Sequence, residues 1–119
     1  NEKVARQIIE DALAVQEAGA FSVVLECVPD RLAALISEKL DIPTIGIGGG
    51  AGCDGQILVY QDMLGMFTDY VPKFVKKFAN VGEVMKKAFA DYDAEVKAGT
   101  FPDEAHSFSI SDDTLERLY

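Results

Sequence analysis

The stretch from Phe21 to Glu26 constrains the fold of this chain more than any other. It is a short apolar run with two adjacent valines, it ends in a carboxylate, and Pro29 and Asp30 follow soon after. A continuous apolar run of this length between helical segments is typical of a buried parallel strand. Glu26 is therefore expected at the carboxyl end of a strand, which is the edge of α/β folds where ligands bind.

The segments on either side of this strand have helical spacing. Residues 1–18 are amphipathic and stop at Gly19, and a second helix is expected to begin at Asp30. The apolar stripes of these helices are Val4, Ile8, Ala12 and Val15, and Leu32, Leu35, Ile36 and Leu40. Short apolar runs at 44–47 and 57–60 are predicted to be further strands. Strand, helix and strand joined by tight links predict a right-handed βαβ unit.

The sequence changes character after the third predicted strand. A short helical turn is expected within 62–67, and a basic amphipathic segment, 73–78, follows with Phe74 and Phe78 on one side. Its solvated positive charges are Lys73, Lys76 and Lys77. A longer helix is predicted over 83–97 with an apolar stripe that packs, and the acidic tail is expected to form one helical turn.

Three parallel strands with about four helices leave an apolar sheet edge uncovered, and three strands cannot close on themselves. The pattern predicts the last three strands and helices of a (β/α)8 TIM-type barrel, which needs ~250 residues in full, plus a C-terminal helical extension. Residues 1–119 are expected to be the C-terminal part of one barrel domain whose N-terminal half is absent from this chain. The chain opens with Asn1 directly inside a helical pattern, as expected for an excerpt of a longer polypeptide.

The composition excludes several classes of partner. The formal net charge is -9 and the estimated pI is 4.4, which disfavours nucleic acid and anionic membranes because both require clustered Lys and Arg. We expect neither a membrane-spanning segment, since the sequence contains no apolar run of ~18 residues, nor a secretory leader. Cys27 and Cys53 are 26 residues apart, without a CxxC motif, and are expected to be reduced thiols of a cytoplasmic protein.

Glu26 is the sharpest candidate for chemistry. A strand-end carboxylate in a partly desolvated site can have its pKa raised, which suits a general base that acts near neutral pH. The alternative is a solvated or salt-bridged strand end, which is common where no chemistry occurs.

The glycine-rich stretch Gly46–Gly55 contains two matches to the dinucleotide-binding pattern. That fingerprint needs a helix directly after the loop, whereas the residues from Gln56 to Tyr60 are predicted to form a strand. The stretch is better explained as a strand-end loop that needs positive φ angles and close approach of its backbone to a ligand or a neighbouring loop.

Three other side chains have weaker claims. His106, the only histidine, could pair with Cys27 or Cys53 as a thiol dyad, but a capping or interface role is favoured because no third member is visible. Asp54 and Asp62 are magnesium ligands by residue type only, and surface positions are the safer interpretation.

Four motifs occur in order along the chain: Leu25–Pro29, Ile42–Gly48, Asp54–Val59 and Glu104–Phe108. With them, the chain closely resembles the C-terminal half of the ketopantoate hydroxymethyltransferase family. The resemblance implies a (β/α)8 barrel that transfers a hydroxymethyl group from 5,10-methylenetetrahydrofolate to 3-methyl-2-oxobutanoate, on the route to pantothenate and coenzyme A.

The resemblance also implies roles for particular groups. Glu26 matches the proton acceptor of the family, and a Mg²⁺ ion would stabilise the enolate that forms. The magnesium ligands and the substrate-binding lysine belong to earlier strands that this chain lacks. The family forms large homo-oligomers, decamers among them, so the implied partners are the missing half-barrel, the two small substrates and further copies of the chain.

Two rival functions remain open from the sequence. One is a related barrel enzyme that makes or breaks a carbon–carbon bond of another 2-oxo acid, and the other is a non-catalytic half-barrel that serves as an assembly partner. A nucleotide-binding domain is a third and weaker alternative.

Overall fold

The structure is a computed structural model that describes residues 1–67 and 69–119. The chain divides into two compact units, residues 1–79 and residues 80–119. The helices of the first unit are α1 (Glu2–Glu17), α2 (Asp30–Lys39) and α3 (Tyr60–Met63). Its strands are β1 (Val23–Glu26), β2 (Thr44–Ile47) and β3 (Gly55–Gln56), which form a parallel sheet in the order β1-β2-β3. The predicted parallel α/β arrangement is therefore confirmed.

The core of the first unit lies between the sheet and the helices α1 and α2. It consists of the buried side chains Ala12, Leu25, Val28, Ala33, Ile36 and Leu40. The predicted helical stripes were only partly right, because Val4, Val15 and Leu35 are 53%, 41% and 40% exposed. On α2 the small side chain of Ala33 takes the buried position, since it is fully buried and allows the helix to approach the sheet closely.

The third strand differs from the prediction. The strand was expected at 57–60, but β3 is Gly55–Gln56 and the helix α3 already begins at Tyr60. Gly55 pairs with Ile45, and the last hydrogen bond runs from the Ile57 N–H to the Gly46 carbonyl at 3.0 Å. β2 ends at Ile47, so the apolar run beyond Ile57 has no partner on that side among the described residues.

Hydrogen bonds at the amino edge of the sheet, where the strands begin, fix the register of the strands. The Asp54 carboxylate accepts from the Thr44 backbone N–H at 2.8 Å, and the Asp54 N–H donates to the Thr44 hydroxyl at 3.2 Å. The buried Thr44 hydroxyl also contacts Ser37 Oγ at 2.6 Å. The Gln16 side-chain oxygen accepts from the N–H groups of Asp41 and Ile42 at 2.6 and 3.1 Å, which fastens α1 to the segment before β2.

The basic segment 73–78 is not amphipathic in the way that was predicted. It has a turn at Lys73 and Phe74 and no helical hydrogen bonding. Phe74 and Phe78 do not share one apolar face, because Phe74 is half-buried whereas Phe78 is 61% exposed and lies under the Lys76 ammonium, 5.0 Å from its ring centre.

The second unit contains the predicted long helix and the predicted terminal turn. Its elements are α4 (Val81–Ala98), a 3-10 turn (Glu104–His106) and α5 (Asp112–Glu116). Gly99 ends α4 in the left-handed conformation, with φ of 73°. None of the helices in the described part of the chain has both the length and the apolar character that a membrane crossing requires.

Candidate active site at the carboxyl edge of the sheet

Glu26 is the last residue of β1, as predicted. It pairs with Ile47, the last residue of β2, and the Cys27 N–H that follows donates to the Ile47 carbonyl at 2.9 Å. Cys27 then has φ of 54°, an uncommon value for a residue other than glycine, and the chain turns away from the sheet there. Glu26 therefore stands at the point where two parallel strands end together, which we call the carboxyl edge.

The alternation along β1 decides which face of the sheet Glu26 occupies. Leu25 is buried against α1 and α2, so Val24 and Glu26 lie on the opposite face. In the parallel register Val24 pairs with Ile45 and Glu26 with Ile47, which makes the surroundings of the carboxylate on this face apolar. Val24 is 51% exposed because the described residues include no element that covers this face of β1.

The immediate electrostatic surroundings of Glu26 are open. The residue is exposed, and none of the salt bridges within residues 1–67 and 69–119 involves it. The salt-bridged alternative therefore finds no support in the described residues. These residues also do not supply the desolvation that the sequence interpretation assumed.

The glycine loop, Gly48–Gly52, follows β2 at the same edge. Gly48 and Gly50 have φ of 70° and 79°, so the predicted positive φ angles are confirmed. A Cβ atom on Gly48 would lie 2.7 Å from the ring of Phe74, and the neighbouring loop to which the glycine backbone makes its close approach is therefore the one that carries Phe74. Because β3 rather than a helix follows the loop, the context of a dinucleotide fingerprint is missing.

Two cavities open beside Phe74 at the carboxyl edge. One, of about 320 Å³, is lined by Gly48, Gly50, Gln56, Ile57, Leu58 and Phe74. The other, of about 340 Å³, is lined by Cys27, Gly48, Lys73 and Phe74. Both volumes are within the range of small-molecule pockets. The sequence analysis placed Phe74 on one side of the basic segment and expected Lys73 to be solvated, so it missed both as lining residues. The sequence feature that could have indicated them is the glycine run, because its exposed backbone leaves room for a neighbouring side chain.

The candidate metal ligands are not brought together. Asp54 precedes β3 and bonds to Thr44 at the amino edge, so it lies at the opposite end of the strands from Glu26. Asp62 lies on α3. Within the described ranges there is no group of three His, Cys, Asp or Glu side chains that could hold a metal ion.

His106 has its partners inside the second unit. Its Nδ1 contacts the Asp103 carboxylate, and its ring packs against Phe101, whose centre is 5.7 Å away. The Asp103 side chain also accepts from the His106 backbone N–H at 3.0 Å, which begins the 3-10 turn. Asp103 is therefore the capping residue of this turn and His106 lies within it, while the favoured capping or interface role of His106 stays a prediction. Cys27 and Cys53 are both free thiols, as predicted.

The first unit thus defines a parallel α/β protein with an exposed strand-end carboxylate and two cavities at the carboxyl edge of its sheet. A sequence model described as ketopantoate hydroxymethyltransferase matches residues 1–104. The chain therefore belongs to the ketopantoate hydroxymethyltransferase family.

Curated relatives agree with this family assignment. Proteins named 3-methyl-2-oxobutanoate hydroxymethyltransferase are 64% identical in Enterococcus faecalis and 62% identical in Clostridium novyi, each over the whole chain and 43% of the relative. The protein of that name in Clostridioides difficile is 59% identical over 98% of this chain and 42% of its own length. The chain therefore spans under half the length of these relatives.

Proposed function

We propose that this chain is the C-terminal part of an enzyme that transfers a hydroxymethyl group from 5,10-methylenetetrahydrofolate to 3-methyl-2-oxobutanoate. The products are 2-dehydropantoate, the intermediate on the way to pantothenate and coenzyme A, and tetrahydrofolate. Family membership over residues 1–104 and the names of the relatives support the reaction class. The position of the Glu26 carboxylate at the end of β1 is the observation that carries the chemistry.

The same proposal makes residues 1–119 the last three strands and helices of one (β/α)8 barrel. Two features of the first unit support it. β1 is an outer strand whose second edge has no partner among the described residues, and Val24 on its open face is half exposed. In a closed barrel an upstream strand would pair with that edge, and inward side chains of the other strands would cover the face, since parallel sheets are normally buried on both faces.

In the proposed reaction Glu26 removes the proton from the carbon next to the keto group of the substrate. That carbon then forms a bond to the one-carbon unit of the folate, while water supplies the hydroxyl group and tetrahydrofolate is released. Three properties suit Glu26 to this role: it has no salt bridge among the described residues, it lies at the edge where barrel enzymes perform chemistry, and it shares an apolar face with Ile45 and Ile47. Once the barrel is complete, the upstream strands would remove water from around the carboxylate and raise its basicity.

A Mg²⁺ ion is also part of the proposal, as the group that would stabilise the negative charge of the enolate. The described residues do not fit such a site, because they contain no cluster of three suitable ligands and Asp54 bonds to Thr44 at the amino edge. We therefore assign its ligands to the half of the barrel outside this chain and derive no step through the metal.

The test of Glu26 uses the whole enzyme and the exchange of one hydrogen. Wild-type enzyme and Glu26→Gln are incubated with 3-methyl-2-oxobutanoate in D₂O, and loss of the proton signal at the carbon beside the keto group is followed by NMR. We expect exchange to fall by about 10²- to 10⁴-fold in Glu26→Gln, which is the usual contribution of one general base.

Glu38→Gln is the matched control for this test. Glu38 is an exposed carboxylate near the end of α2, and α2 ends at the amino edge because the chain next enters β2. The control should exchange at the wild-type rate. Wild-type exchange in Glu26→Gln would exclude this residue as the base, and exchange without product formation in the wild-type enzyme would favour a different reaction of the 2-oxo acid.

We also propose that the enzyme is a homo-oligomer, a decamer as in the family. Helix α4 supports the oligomer because its apolar stripe, predicted to pack, is exposed: Val84, Phe89 and Tyr92 are 70%, 66% and 60% exposed. Such a stripe is typical of a surface that another chain covers. Light scattering of the whole enzyme with Phe89→Asp should show smaller particles than wild type.

A further inference from the structure

The ring of Phe74 is a wall shared by the two cavities at the carboxyl edge. The cavity of about 320 Å³ is also lined by Gln56, Ile57 and Leu58. The cavity of about 340 Å³ is also lined by Lys73 and Cys27. A ligand with a flat ring could therefore pack against the aromatic and aliphatic residues of the first cavity. Lys73 in the second cavity supplies a positive charge for a negatively charged group of the same ligand.

The charge of Lys73 stands out in its surroundings. The chain has a net charge of -9, yet the described residues that line the two cavities include no Asp or Glu. None of the salt bridges formed in the described part of the chain involves Lys73. An anionic ligand at this edge therefore meets a cation that the protein leaves available.

Gly48 fixes the position of Phe74. The ring lies so close to the Gly48 backbone that any side chain there would meet it at 2.7 Å, and Gly48 follows directly after Ile47, the pairing partner of Glu26. The aromatic wall is thus held one residue beyond the end of the strand pair that carries the proposed base.

We propose that Phe74 and Lys73 form the binding site for the folate donor, with its flat ring against Phe74 and a carboxylate of its glutamate tail at Lys73. This proposal rests on the proposed function and adds to it the site of the second substrate. The two cavities favour the folate over the five-carbon keto acid because they match a ligand with a flat ring at one end and a carboxylate at the other. Their combined size also exceeds what a five-carbon acid fills.

The experiment measures binding of tetrahydrofolate, the folate product, to the whole enzyme by anaerobic titration calorimetry. Lys73→Gln should weaken binding by about two- to fivefold, the effect of losing one exposed ion pair. This loss should shrink as salt is raised, because salt screens exposed charges. Phe74→Leu should weaken binding by about three- to tenfold through loss of ring contact.

Lys39→Gln is the matched control because Lys39 is an exposed lysine at the far end of α2, by the amino edge. It should bind tetrahydrofolate like the wild type. A salt-independent loss in Lys73→Gln would indicate a structural effect and overturn the ion pair, while Phe74→Leu tests the ring contact separately.

Steady-state kinetics separate the possible ligands of Lys73. We expect the KM for the folate to rise in Lys73→Gln while the KM for 3-methyl-2-oxobutanoate changes by less than about twofold, since a carboxylate elsewhere would not sense one distant charge in salt. A rise only in the KM for the keto acid would overturn the inference, as would unchanged binding of tetrahydrofolate. Wild-type enzyme that makes no 2-dehydropantoate would instead overturn the proposed function, and the inference with it.

Discussion

The two edges of the same small sheet are built differently. At the amino edge the buried Thr44 forms hydrogen bonds with Asp54 and Ser37, and the Gln16 side-chain oxygen accepts a hydrogen bond from the Asp41 N–H just before β2. At the carboxyl edge Glu26 is exposed and without a salt bridge among the described residues, and two cavities open at the same edge beside Phe74. The strands are only four residues long at most, so the contrast develops over a very short distance.

This contrast teaches how one sheet separates stability from chemistry. A buried polar group must have its hydrogen bonds, and satisfied groups do not change partners easily. A reactive group needs the opposite, because a carboxylate already engaged in an ion pair is a weaker base. The amino edge therefore holds the register, and the proposed function assigns ligand binding to the carboxyl edge, where barrel enzymes have their active sites.

The largest expected effect tests the carboxyl edge. Glu26→Gln should reduce catalysis by the whole enzyme by about 10²- to 10⁴-fold, because it removes the proposed general base. Its free energy of unfolding should stay within about 0.5 kcal/mol of wild type, since the exposed carboxylate has no salt bridge to lose in the described residues. Urea unfolding of the whole enzyme gives the second quantity, and a large loss of stability would show that Glu26 is structural.

Comparison of Gly48→Ala with Gly19→Ala tests how tightly Phe74 packs against the glycine loop. Gly48→Ala should cost about 1–2 kcal/mol for its positive φ and a further ~1–3 kcal/mol because the new Cβ meets the Phe74 ring. Gly19→Ala should show the strain alone, because its φ is also positive but a Cβ there has nothing within 4 Å. Equal denaturation midpoints for the two variants would mean that Phe74 moves freely.

At the amino edge we expect the opposite result, a loss of stability with no change in catalysis. Thr44→Val keeps the shape but removes the hydroxyl that accepts from the Asp54 N–H, and it should cost about 1–3 kcal/mol of unfolding free energy. Molecules that remain folded should keep the wild-type kcat. Thr44→Ser retains the hydroxyl and serves as the control, and a fall in kcat without loss of stability would contradict the separation of the two edges.

The smallest expected effect on stability comes from the exposed ion pair between Lys87 and Asp91 on α4, and it serves as a baseline for the other variants. The hydrogen bond to Asp91, and then its negative charge, raise the pKa of Lys87 above 10.5. The pair therefore stabilises the fold fully below pH 10.5, and this contribution disappears as the pH rises through the raised pKa. Lys87→Met should lower the urea midpoint slightly at pH 8 and leave it unchanged above that pKa, and Asp91→Asn should have the same pH dependence.

Periodicity sufficed to predict the elements whose partners are near in sequence. The helix over 1–18, the strand ending at Glu26 and the strand over 44–47 were each predicted to within two residues. The carboxyl-edge position of Glu26 followed directly, because the carboxyl ends of parallel strands lie at the same edge of a sheet. The strand predicted at 57–60 was wrong. Hydrophobicity identifies a segment that is able to pair, but β2 ends at Ile47, so residues 57–60 have no strand beside them among the described residues.

The parts that could not be predicted depend on single contacts between loops. No periodic pattern links Phe74 to Gly48, which is 26 positions earlier, and the basic residues around Phe74 imitate a helix face. The bond between Asp54 and Thr44 left a better clue: a threonine inside a predicted buried strand requires a polar partner, and Asp54 stands directly before the next strand.

The hydroxyl groups of Thr44 and Ser37 have two consistent proton arrangements. In one, Thr44 donates to Ser37 Oγ across 2.6 Å and Ser37 donates to the Ala33 carbonyl at 2.8 Å. In the other, Ser37 donates to the Thr44 hydroxyl and Thr44 donates to the Asp54 carboxylate at 3.2 Å. The Asp54 N–H donates to Thr44 in both arrangements, so the direction of the hydroxyl protons can reverse while α2, β2 and the start of β3 stay joined through the same residues.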